Sequence, residues 1–309
     1  MTANRTFTLL AAGLLSLVTA TGCVVGPSTQ PPDSTQPTSA PPTADQEPSS
    51  AIPEPEKVVG NWKVTLAGEN AADDIVLQFG SEMVIWHRCG HISGGYILTP
   101  SGRLLTDFNS GSAKCPISAP GWLPSTAQLE WSRDNLILAD ADDTPHATLE
   151  LGGQPPLSKN YMDEFTHAPT LTDDLKQRLT WESVELPAGL LPASADLLLR
   201  NTWYPKEPDP QAPDAAYIKF TPDYRYEATD GCNGTAGAWW IEPNGSFKLT
   251  FGISTLIGCA GVDVISQFYT VAALATDADT GELVLLDGAG VEVARYVPRA
   301  TGIAVSRQS

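Results

Sequence analysis

The sequence predicts a mainly β protein with a minor helical share: two tandem small antiparallel β-sheet or open-barrel modules, the second with one helix. Two observations carry this. Short runs rich in aromatic and β-branched residues alternate with turn chemistry along residues 58–152 and 198–299, and the landmarks of the first stretch recur in the second at nearly the same spacing. Trp62 to Phe79 and Trp203 to Phe220 both span 17 residues; Trp62 to Cys89 and Trp203 to Cys232 span 27 and 29; Cys89 to Cys115 and Cys232 to Cys259 span 26 and 27.

The N-terminus has its own logic. Arg5 precedes an apolar stretch, Phe7 to Ala20, too short to span a bilayer as a helix but suited to an export signal. It ends in Ala20-Thr21-Gly22-Cys23, which resembles a lipobox, so residues 1–22 read as a lipoprotein signal peptide and Cys23 as the lipidated residue, with ordinary signal cleavage nearby as the alternative. Residues 23–57 are dominated by Pro, Ser, Thr, Gln and small or acidic residues and hold no aromatic, so they cannot bury a core. They read as a disordered tether. At about 3.1 Å per residue in extended form, it could hold a folded body up to roughly 100 Å from the lipid.

In the first module, residues 58–152, Met83-Val-Ile-Trp86, Gly95-Tyr-Ile-Leu98 and Arg103-Leu-Leu-Thr106 read as strands, with Pro100-Ser-Gly102 as a turn. Leu136-Ile-Leu138 and Ala147 to Leu151 close it. Residues 153–197 read as a connector with one short amphipathic helix around Thr172 to Leu179, acidic at its start. In the second module, residues 198–299, Tyr217 to Phe220 and Tyr224 to Ala228 flank the turn Thr221-Pro-Asp223, and Ala238 to Ile241 and Ser246 to Phe251 flank Asn244-Gly245, a pair suited to a tight hairpin. Leu283 to Leu286 and Val291 to Tyr296 form the last pair. After Cys259 the run Asp263 to Leu274 has near-helical apolar spacing, whereas Pro116, Pro120 and Pro124 exclude a helix at the equivalent place in the first module. Residues 300–309 read as a tail.

Gly231-Cys-Asn-Gly234, Gly237, Ser254-Thr255 and Gly258-Cys259, with Trp203 at the start, resemble the META-domain (HslJ-like) family over about 100 residues, Arg200 to Pro298. The first module resembles it more weakly: Arg88-Cys-Gly-His91 replaces Gly-Cys-Asn-Gly, and the Ser-Thr pair is missing, so it reads as a degenerate copy. The resemblance implies a small β-rich fold of secreted and lipid-anchored bacterial proteins, with no catalytic residue and no cofactor.

The remaining chemistry is sparse. A net charge of −18 without a basic cluster argues against nucleic acid or an anionic lipid surface as a partner. In an exported chain the four cysteines beyond Cys23 read as disulfides, and the repeat selects Cys89–Cys115 and Cys232–Cys259, with reduced buried thiols as the rival. His87, Cys89 and His91 would share one face of a continuous strand and, with Cys115, could suggest zinc; the second module keeps its cysteines without any histidine, which favours disulfides and no metal. All four histidines, His87, His91, His146 and His167, precede residue 168, and no Gly-x-Ser-x-Gly occurs, so nucleophile and base cannot be paired in the second module. The turns Asp140-Ala-Asp-Asp143 and Asp277-Ala-Asp-Thr-Gly281 lack a full calcium ligand set and read as acidic hairpin turns.

Asn233, Trp239 and Trp240 are the candidate binding residues: adjacent tryptophans on a strand face opposite sides, leaving one outward for a peptide, a glycan or an envelope protein, unless the module or its twin covers both. The expected role is binding or structural, on the extracytoplasmic face of the cell membrane, or the periplasmic side of an outer membrane if the cell has one. The alternative is an envelope hydrolase acting on cell-wall material through acidic residues.

Overall fold

The computed structural model describes residues 53–68, 75–88, 90–111, 120–155, 167–252, 254–255 and 261–300. After a 3-10 turn at Pro55–Val58, the first half runs through β1 (Gly60–Leu66), β2 (Val76–Phe79), β3 (Met83–His87), β4 (Gly90–Leu98), β5 (Arg103–Gly111), β6 (Thr126–Ser132), β7 (Asn135–Ala139) and β8 (Pro145–Leu151). Each strand pairs with the next, and β8 returns to β1 with Trp62 opposite Leu151, so the eight strands close a barrel. Alternate residues point inward: Trp62, Val64, Leu77, Phe79, Met83, Ile85, Leu104, Leu129, Leu136, Leu138 and Leu149 fill the interior. The half that reads as degenerate in family motifs is thus a complete, closed barrel, where a small antiparallel sheet or open barrel was expected.

The connector carries α1 (Asp173–Leu179), as its pattern predicts; the Thr172 hydroxyl accepts from the Leu175 amide at 3.2 Å, and Leu175 and Leu179 are its buried positions. β9 (Leu190–Pro192) and α2 (Ala195–Arg200) follow. The second half then has β10 (Asn201–Pro205), β11 (Tyr217–Phe220), β12 (Arg225–Thr229), β13 (Gly234–Ile241), β14 (Phe247–Leu249), α3 (Val264–Tyr269), β15 (Ala273–Asp277), β16 (Leu283–Leu286) and β17 (Glu292–Ala300). These form an antiparallel sheet in the order β14-β13-β12-β11-β10-β17-β16-β15-β9.

Two boundaries differ from expectation. β9 lies in the stretch assigned to the connector, yet it pairs with β15, Pro192 opposite Ala275, and so belongs to the second sheet; three residues ending in proline are too short a pattern to read as a strand. The run expected to be one helix splits: α3, capped by the Asp263 carboxylate on the Ser266 amide at 3.0 Å, stops at Tyr269, and Ala273 and Leu274 enter β15 opposite Leu286 and Leu285. Sheet pairing outweighs helical spacing there.

The repeat survives in the strand register. Trp62 faces Leu77 as Trp203 faces Ile218, and Gly94 faces Met83 as Gly237 faces Tyr226. Both tryptophans are buried and donate from Nε1 to a carbonyl just upstream, Val58 at 2.7 Å and Leu198 at 3.4 Å. Both glycines are forced by packing: a Cβ at Gly94 would lie 1.9 Å from the Asp107 carbonyl oxygen, and one at Gly237 2.6 Å from the Tyr226 ring. The Asn244-Gly245 hairpin forms as expected, with Gly245 at φ 87° and the Asn244 side chain accepting from Ser246 N at 3.0 Å.

The halves differ where α3 is inserted. In the first, β5 pairs directly with β6. In the second, the strand equivalent to β5 meets β15 through a single bridge, Ser246 to Ala273, and α3 packs Val264, Ile265 and Phe268 into the core. That core is aromatic: Phe220 lies edge-on to Trp239, Phe247 and Phe268 at ring separations of 5.0, 6.1 and 6.0 Å, and each such contact adds about 0.5–1.5 kcal/mol beyond area burial.

The two halves belong to one compact unit. Ile97 and Leu105 of the barrel pack on Ala238 of the sheet, with Trp181, Tyr224 and Trp240 around them. Beside this seam the Arg225 guanidinium contacts the Asp107 carboxylate at 2.5 Å, and the Thr250 hydroxyl donates to the same carboxylate at 3.3 Å.

Candidate functional site: a cleft between the halves

Strand alternation in β14 buries Phe247 and Leu249 and turns Lys248 out of the core, toward the barrel. Helix α1 buries Leu175 and Leu179 and leaves Arg178 between them at the surface. The two cations come together because the Lys248 ammonium donates to the Arg178 backbone carbonyl, at the last turn of α1. Arg178 donates from Nη2 to the Gly80 carbonyl at 2.9 Å, and the Tyr96 hydroxyl donates to the same oxygen at 3.1 Å. Trp181 is pinned by its Nε1 donating to the Leu98 carbonyl at 2.8 Å, and Lys248 lies 5.3 Å from its ring centre. The Ser246 hydroxyl donates to the Glu182 carbonyl at 2.6 Å and fixes the chain beyond α1.

Together these residues wall a cleft of about 850 Å³ whose other lining includes Glu82, Asn109, Gln177 and the end of β14 through Gly252. Its rim carries Phe251 and Tyr269, 51% and 46% exposed, set edge-to-face at 5.9 Å. Burial, and then repulsion from Arg178, pushes the Lys248 amine down to about 8, with Glu182 acting in the opposite direction. Burial pushes the Tyr96 phenol up to about 12 against the pull of Arg178. The carboxylates on the lining, Glu82, Asp174 and Glu182, are all exposed.

No family model, curated protein or solved structure matches the chain. The META-domain resemblance therefore rests on its motif residues, of which Asn233, Ser254 and Thr255 line a second, smaller cavity of about 290 Å³. There the Asp230 carboxylate accepts from the amides of Cys232 and Asn233 at 2.8 and 2.5 Å and from the Asn233 side chain at 3.0 Å. Burial opposes its ionisation, but these hydrogen bonds outweigh burial and hold its pKa below the ordinary carboxylate range. The Thr255 hydroxyl accepts from Gly234 N at 3.2 Å, and Ser254 bridges Thr235. Asn233 and the Ser-Thr pair thus bind the motif loop to its neighbour. Cys232 is disulfide-bonded, while Cys23, Cys89, Cys115 and Cys259 lie outside the described residues.

Of the two outcomes the sequence left open for the tryptophans, the structure has the covered one. Trp239 is 1% exposed, packed in the aromatic core. Trp240, on the opposite face of β13, is half-buried against the barrel: Arg103 lies 5.1 Å over its ring, the Tyr224 ring lies tilted against it at 4.9 Å and Glu242 accepts from its Nε1 at 2.9 Å. The opposite-face argument holds, but the outward face meets the other half instead of solvent.

The zinc geometry is corrected. β3 ends at His87 and the chain reverses, so His91 lies on β4 opposite Trp86, its ring 4.9 Å away, and the two histidines do not share one strand. Burial lowers the His91 pKa, against the field of Glu82. Among the described residues no group of three His, Cys, Asp or Glu is placed to hold a metal. The acidic turns use their carboxylates internally: Asp140 accepts from the amides of Asp142 and Thr144 at 2.9 and 3.0 Å, and Asp277 from those of Asp279 and Thr280 at 3.1 and 3.0 Å. No helix among the described residues is long and apolar enough to cross a membrane.

Sequence reading missed the cleft. Lys248 and Arg178 are 70 residues apart, and each alone reads as an ordinary polar position of a strand or an amphipathic helix.

Proposed function

We propose that this chain is an extracytoplasmic binding protein of META-domain type, tethered to the membrane through lipid on Cys23, whose ligand occupies the cleft between the two halves. One observation carries the binding reading: Arg178, Lys248 and the rings of Tyr96, Trp181, Phe251 and Tyr269 converge on a cleft whose volume falls in the range of ligand sites. The lipobox and the Pro/Ser/Thr-rich tether support the location. The exposure of all three lining carboxylates favours binding over hydrolysis of cell-wall material.

The test uses the full chain purified from membranes in detergent and screened by thermal shift against cell-wall fragments, oligosaccharides and peptides, with mass spectrometry of each mixture. A ligand that raises Tm in the native chain but not in Trp181→Ala, and is recovered intact, is the expected result. Recovery of cleaved ligand would replace the binding reading with the hydrolase one.

A further inference from the structure

The chain is acidic overall, and several of its basic residues meet carboxylates. Lys206 meets Glu282 at 2.8 Å, Arg225 meets Asp107 at 2.5 Å, and Arg295 meets Asp277 at 2.8 Å. Arg178 and Lys248 differ. Among the described residues neither has a carboxylate at ion-pair distance, although acidic residues outnumber basic ones 36 to 18. Each spends a donor on a backbone carbonyl, Gly80 for the guanidinium and Arg178 for the ammonium. Both residues line the cleft, and each has N–H groups beyond the one so used. Holding two like charges together in a half-buried site is unfavourable in the empty protein, and an anion placed between them removes the repulsion.

The surroundings narrow the anion. Phe251 and Tyr269 offer an exposed edge-to-face aromatic surface at the rim, against which the apolar C–H face of a sugar ring can lie. Asn109, Gln177 and Thr180 add neutral hydrogen-bonding groups along the lining, suited to hydroxyls, where a bare apolar pocket would suit an aliphatic peptide side chain.

We infer that the cleft takes an acidic oligosaccharide, its carboxylate held between Arg178 and Lys248 and a ring lying on Phe251 and Tyr269. This rests on the binding reading above and names the ligand class for the same site. The planar guanidinium forms parallel hydrogen bonds to a carboxylate, while Lys248 supplies a second charge from β14.

The experiment is calorimetric titration of the full chain at pH 7 with a galacturonic acid trisaccharide, its methyl ester, a neutral galactose trisaccharide, an aliphatic tripeptide and inorganic phosphate. The acid trisaccharide is expected to bind, and esterification to weaken it about 10- to 100-fold, the usual worth of charge-assisted hydrogen bonds. Lys248→Met and Arg178→Gln should each lose at least about tenfold for the acid, while Lys248→Arg keeps most of the affinity. Thermal unfolding of each variant separates lost binding from lost fold; where Lys248→Met does not fold, Arg178→Gln carries the test.

Equal binding of acid and ester, or unchanged affinity in both variants, would overturn the anion assignment while leaving a neutral ligand in the cleft. Binding of the tripeptide alone would replace the sugar by a peptide, and binding of phosphate alone would reduce the site to a plain anion site. If no probe binds, the inference is wrong, and the wider screen then decides the binding reading separately.

Discussion

Asp107 of β5 and Arg225 of β12 stand 2.5 Å apart across the seam between barrel and sheet, the carboxylate 8% and the guanidinium 32% exposed. Nearby, the Tyr226 hydroxyl donates to the Thr250 carbonyl at 2.7 Å, and the Thr250 hydroxyl reaches Asp107. Removing one partner strands the other in a poorly solvated place. Asp107→Ala is expected to destabilise by about 2–4 kcal/mol, near the lower end for broken buried pairs because Arg225 keeps some contact with water. Urea unfolding should show this, and the double variant Asp107→Leu with Arg225→Met should lose less than the sum of the single changes.

Lys248 is a position where stability and binding oppose each other. Its folded pKa of about 8 lies below the usual lysine value of 10.5. Between those two values the unfolded chain holds more protons than the folded one, so this group's contribution is unfavourable below about pH 8 and fades as pH rises toward 10.5. Lys248→Met should therefore be more stable than the native chain at pH 7, by about 1–3 kcal/mol, and the gap should shrink between pH 8 and 10. A constant gap across that range would mean that charge is not its cause.

Affinity for an acidic sugar should follow the same titration. With Arg178 and Glu182 the charged groups acting on Lys248, and Glu82 and Asp174 also on the lining, binding should be strongest below pH 8 and weaken above it. Arg178 remains charged throughout. Lys248→Arg should flatten the profile, which calorimetry at pH 7 and pH 9.5 would reveal.

Gly94 is set by steric contact alone. Gly94→Ala places a methyl group 1.9 Å from the Asp107 carbonyl oxygen, so β4 and β5 must separate. A loss of about 3 kcal/mol or more in urea unfolding is expected, at the upper end for single substitutions, together with weaker coupling to the sheet through Asp107. Gly121→Ala, whose Cβ would meet nothing within 4 Å, serves as the control and should stay within about 0.5 kcal/mol of the native chain.

The proposed anchor and disulfides predict a mass. Intact chain taken from membranes should carry a diacyl or triacyl group at Cys23 and gain four protons on reduction, two from Cys89–Cys115 and two from Cys232–Cys259. An unlipidated, fully reduced chain would remove the export argument.

What the sequence determined by itself was whatever depends on near neighbours along the chain. Turn residues such as Asn244-Gly245, the alternation of Tyr217 to Phe220, the acidic start and apolar stripe of α1 and the shared spacing from Trp62 to Phe79 and from Trp203 to Phe220 all act within one strand pair or one helix turn. They were sufficient for a mainly β fold built from two related halves. Tertiary structure alone decided how those halves close and meet. Only the pairing of β8 with β1 makes the first half a closed barrel, and only the competition of β15 for Ala273 and Leu274 shortens the expected helix. Trp240 became a seam residue because the barrel covers its face of the sheet, and Lys248 and Arg178 became neighbours because the last turn of α1 comes within hydrogen-bond reach of β14. Contacts between residues so distant in sequence arise from the summed burial of many apolar side chains, and no local pattern in the chain encodes them.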